Sequence, residues 1–109
     1  MTSWDAVSLN KRFKFAAGSA ETSWQTIGPT MGKGTGHQAA YDMKKAEYMV
    51  FNHLHGRDFV NSREALLAEL RNMRAHPPED NGVNDEALFR NTYERTIASL
   101  IDELIEKAM

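Results

Sequence analysis

The sequence predicts an all-α protein, a small bundle of three main helices preceded by an aromatic, glycine-containing arm. Three observations carry this. From His37 onward, apolar residues recur at three- and four-residue steps. Helix stops and caps, namely Gly56, Pro77-Pro78 and Asn84, fall between those periodic stretches. The stretch Ser23-Trp24-Gln25-Thr26-Ile27 is too polar to serve as a buried strand.

The arm covers residues 1–36 and holds five of the seven glycines. It also carries Trp4, Phe13, Phe15, Trp24 and Ile27, more large apolar groups than a free linker spends, so it is expected to pack on the body. A short helix over 4–17 is predicted, with Ser3 as N-cap, Ala6, Leu9, Phe13 and Ala17 on one side, and Gly18 as its stop. The alternation Phe13-Lys14-Phe15 favours a strand over the same residues.

The first main helix is placed at 37–55. Ala39, Met43, Ala46, Val50 and Leu54 form its apolar stripe, and Gly56 ends it. The second is placed at 62–75. Asn61 and Glu64 fit a capping box, Ser62 competes as the cap, and Leu66, Leu67, Leu70 and Met73 form the buried face. The third is placed at 85–107, with Asn84 as N-cap and Asp85 and Glu86 favouring the positive end of the helix dipole. Its stripe is Phe89, Tyr93, Ile97, Leu100, Ile101 and Leu104. At 1.5 Å per residue it is roughly 35 Å long against about 20 Å for the second helix, so it needs other elements, or another subunit, to cover it.

With 109 residues, the chain is expected to be one complete domain, 1–109. Its 41% hydrophobic and 26% charged residues suit a globular chain. Cysteine is absent, which excludes disulfides and thiolate zinc sites. The first residues lack a secretory signal, and no run approaches a membrane span, so a cytoplasmic location is expected. Residues 1–36 carry four basic and two acidic groups, and residues 37–109 carry nine basic and thirteen acidic ones. A mildly basic arm thus precedes an acidic body.

The glycine loop Gly28-Pro-Thr-Met-Gly-Lys-Gly-Thr-Gly36 invites a phosphate-binding reading. Its Gly32-Lys33-Gly34-Thr35 core is similar to the phosphate loop of nucleoside-monophosphate kinases. That loop needs four residues between its outer glycines and a strand before it. Here three residues separate Gly28 from Gly32, and the chain around them is helical in pattern. What survives is an alternative function, anion or nucleotide binding by Gly32, Lys33, Gly34 and Thr35 at a helix start. His53 and His55 lie two apart, about 200° around a helix, so they cannot share a metal there. No cofactor, no metal and no catalytic residue are expected.

Tyr41, Lys45, Tyr48, Asn52 and His55 form a second face on the first main helix. Aromatic groups with hydrogen-bonding ends are enriched in interfaces. The favoured expectation is therefore a non-catalytic protein–protein interaction module, an adaptor, inhibitor or assembly factor, that binds another protein through this face. A homodimer is the oligomer expected, because so small a domain buries little surface alone. The other alternative is nucleic-acid binding through Lys11, Arg12, Phe13 and Lys14, which interleave charge and aromatic groups. The net charge of −2 argues against it.

Overall fold

The computed structural model describes residues 4–27, 37–79 and 82–108. It is all-α, with α1 (Ala6–Ile27), α2 (His37–Leu54), α3 (Arg63–Ala75) and α4 (Glu86–Ala108). A short 3-10 helix, Asp58–Asn61, joins α2 to α3. No strand occurs among the described residues. The class is the expected one, but the main helices number four rather than three.

The difference lies in α1. The sequence predicts a helix that stops at Gly18, yet α1 runs through it to Ile27. Gly18 has no positive φ. A mid-helix glycine costs only about 1 kcal/mol relative to alanine. Phe13, Ala17 and Ala20 are buried in one line, and Trp24 continues it. Packing on both sides of the glycine outweighs that cost. The strand reading of Phe13-Lys14-Phe15 fails for the same reason. On a helix the two phenylalanines point about 200° apart, and Phe13 enters the core while Phe15 faces solvent. Ser3 lies outside the described residues. Asp5 serves the start of α1, its Oδ1 accepting from the Ser8 backbone N–H at 2.9 Å.

Helix α2 ends as expected, with Gly56 at φ +75°, a conformation only glycine adopts cheaply. Its apolar stripe is shifted: Ala46, Val50 and Leu54 are buried, but Ala39 is exposed and Tyr41 is buried instead. Two caps also differ from expectation. Ser62, not Asn61, caps α3, its Oγ accepting from Ala65 N–H at 3.1 Å. Asn61 is held in the 3-10 turn. Asp85, not Asn84, caps α4, its Oδ1 accepting from Ala87 and Leu88 N–H at 3.0 and 3.1 Å.

Asn84 is occupied elsewhere. Asp42 of α2 is fully buried, and its Oδ1 accepts from the Asn84 backbone N–H at 2.9 Å and from the Asn84 Nδ2 at 3.2 Å. Its Oδ2 accepts from the Asp85 N–H at 2.8 Å. A buried carboxylate is tolerable only when so satisfied. These bonds fix the start of α4 against α2.

The packing order is α1 on α2, α2 on α4, and α4 on α3. Helices α2 and α3 both lie on α4, and Val50 and Leu54 of the first share one core with Leu66 and Leu70 of the second. The core runs through Phe13, Val50, Leu54, Leu66, Leu70 and Ile97. Each contributes roughly 1.5–3 kcal/mol by leaving water. Trp4 pins the chain start to the 3-10 helix, its indole N–H donating to the Val60 carbonyl at 2.7 Å.

Candidate functional site

Helix α1 covers much of the face first expected to bind a partner. Tyr41 is 4% exposed, and its ring meets Trp24 edge-on with centroids 5.7 Å apart. Tyr48 lies 6.0 Å from the same indole. The Lys45 ammonium sits 5.4 Å from the Trp24 ring centre and 5.9 Å from that of Tyr41, within cation–π range. The Tyr48 phenol is raised above its ordinary pKa, by burial first and then by the charge and hydrogen bond of Glu21. Asn52, near the end of α2, and His55, just past it, contact each other at 3.2 Å. Three of the five residues thus converge on α1, and two do not. Trp24 is the partner that sequence reading missed, because its contacts cross from one helix to the next.

The basic–aromatic set divides similarly. Lys11 and Lys14 are exposed. Arg12 makes a bidentate pair with Glu103 of α4, at 2.6 and 2.7 Å. Phe13 is 1% exposed and unavailable for stacking on a base. The aromatic group that does face water is Phe15, at 79% exposure, with Val7 at 68%. Val7, Lys11, Lys14, Phe15 and Gly18 fall within roughly a 100° sector of α1. A Cβ added at Gly18 would meet nothing within 4 Å. The anion-binding candidates Gly32, Lys33, Gly34 and Thr35 lie outside the described residues.

A partly open cavity of about 250 Å³ lies between side chains of α2 and α3, with Tyr93 of α4 in its wall. Met49, Met73 and Pro78 supply apolar lining, and His53, Glu69, Asn72 and His76 supply polar groups. His53 Nε2 lies 2.7 Å from Glu69 Oε2, a bridge from α2 to α3. Their side chains are 43% and 23% exposed, so the imidazole sits nearer the mouth and the carboxylate deeper. Glu69 Oε1 accepts a long contact, 3.4 Å, from the Asn72 amide. His76 Nδ1 lies 3.1 Å from the Asn72 carbonyl oxygen, which only accepts, so Nδ1 carries the proton. Burial first, and the Glu69 charge second, raise the Tyr93 phenol above its ordinary value. Among the described residues no group of three His, Asp or Glu side chains is placed to hold a metal ion, and no helix is long and apolar enough to cross a membrane.

No protein-family model, curated protein or solved structure matches the chain.

Proposed function

We propose that this protein is a non-catalytic interaction module that binds an acidic partner protein through the outer face of α1, with Phe15 as the anchor. The observation that carries this reading is the 79% exposure of Phe15 in the middle of a long, well-packed helix, with Val7 exposed on the same side. A single exposed apolar residue is ordinary. Two on one helix face, beside an open glycine, form a shape that a partner can cover. Aromatic anchors of this kind dominate interface energetics.

Charge selects the partner. Lys11 and Lys14 flank Phe15 on an exposed face that carries no acidic residue between Val7 and Gly18. A second copy docked symmetrically through this face would bring the same two cations, and like charges in an interface are unfavourable. An acidic surface with an apolar pocket satisfies both features. Nucleic acid is a poorer match, because Arg12 is engaged by Glu103 and Phe13 is in the core. Two lysines would give a salt dependence with a slope of only about −2.

The test is a photo-crosslinking phenylalanine at position 15, with a control probe at the exposed Ser99 of α4. In host lysate, the position-15 probe is expected to capture one acidic protein that the control does not. Phe15→Ala should weaken binding of that protein at least tenfold, about 1.4 kcal/mol or more, with helicity unchanged. Crosslinks to nucleic acid alone, to a second copy alone, or to nothing beyond the control would sink the reading.

A further inference from the structure

We infer that the cavity between α2, α3 and α4 is a binding site for a small organic cation, an ammonium or amidinium on a short apolar body, held by the Glu69 carboxylate. It uses none of the residues of the α1 face, so it stands or falls separately from the function proposed above.

The site exists because of how the helices pack. Helices α2 and α3 both pack on α4, and the His53–Glu69 bridge crosses the cavity from α2 to α3. The space, about 250 Å³ and partly open to solvent, lies just under the usual range for drug-sized ligands, so it suits a fragment-sized molecule. Its composition matches such a ligand, with an apolar lining and a few convergent polar groups.

The chemistry of the lining selects the charge. Among the described residues that line the cavity, Glu69 is the only acidic one. Its Oε2 accepts from His53, while Oε1 keeps acceptor capacity because Asn72 reaches it only at 3.4 Å. An N–H of an ammonium or amidinium would complete that oxygen with a charge-assisted bond. Tyr93 stays protonated through its raised pKa, so its ring adds a neutral aromatic surface rather than a second charge. Aromatic faces attract cations, and the thioethers of Met49 and Met73 are polarisable and adapt to irregular shapes. An anion would be repelled by the Glu69 carboxylate.

The experiment follows the methionine methyl resonances of the full chain during titration with benzamidine, tyramine and agmatine. Benzamide and benzoate serve as neutral and anionic counterparts of the first. At least one of the cations is expected to shift the Met49 and Met73 methyls saturably, with a Kd of order 1 mM as its size allows. Benzoate and benzamide should leave both methyls in place. Glu69→Gln should weaken the cation at least tenfold. Met49→Phe, which fills the space while leaving Glu69 intact, should abolish the remaining Met73 shift, and circular dichroism checks that both variants remain folded. Equal shifts from benzoate or benzamide, retained affinity in Glu69→Gln, or no shift with any of the three cations up to about 20 mM would overturn the assignment.

Discussion

Asp42 is a charged residue buried without exposure, and three N–H donors from the start of α4 keep it there. Removing the carboxylate leaves those donors facing a cavity that water does not easily replace. Asp42→Ala is therefore expected to cost about 3 kcal/mol in urea unfolding, with Asp42→Asn costing less because one oxygen survives. An alanine variant within 0.5 kcal/mol of wild type would contradict this account. None of this was visible in the sequence, because the partners are 42 and 43 positions away. The same distance explains the displaced cap of α4. In the sequence Asn84 reads as the cap and Asp85 only as a residue favoured by the helix dipole, and which of the two caps depends on what the other one touches. Asn84 is drawn to Asp42, so the capping role falls to Asp85.

At the scale of the element, α1 departs furthest from its sequence pattern. Its buried line Phe13, Ala17 and Ala20 leads to Trp24 and is interrupted by nothing except the expectation that glycine stops a helix. Gly18 sits on the opposite side, in open space and without a positive φ. Gly18→Ala should therefore stabilise the free protein by roughly 0.5–1 kcal/mol, seen as a rise in Tm. If α1 binds a partner as proposed, the added methyl group stands one turn from Phe15, and the same variant should bind less tightly while being more stable. A fall in Tm would show that the glycine serves the fold itself. The downstream helices were legible to within a residue or two, because their stripes and stops are local signals. The expected 37–55 and 62–75 became His37–Leu54 and Arg63–Ala75.

At the scale of the whole molecule, the two tyrosines with raised pKa values link stability to alkaline pH. Tyr93 holds its proton more tightly when folded, through burial first and the Glu69 charge second. Tyr48 does so through burial first and then Glu21. An unfolded phenol ionises near pH 10. The stabilisation from keeping each proton is thus complete below about pH 10 and is lost as pH rises through the folded-state value. Unfolding free energy measured across that range should fall, and Tyr93→Phe should make the fall shallower. An unchanged slope in the variant would mean that the burial of Tyr93 does not resist its ionisation.

Sequence periodicity settled the all-α class, the three downstream helices and most of the core, since a stripe at helical spacing can only be buried in one way. It also brought forward Tyr41, Tyr48 and Lys45 as an unusual cluster, and the arm as something that packs. Which surfaces those groups share was decided by tertiary structure. Trp24 lies across Tyr41 and Tyr48 because α1 is long enough to reach them, and that leaves Phe15, not Phe13, facing water. The cavity beside Glu69 belongs to no helix and has no sequence signal. Its lining comes from α2, α3, α4 and the segment after α3, so it is a property of their arrangement rather than of any local run of residues.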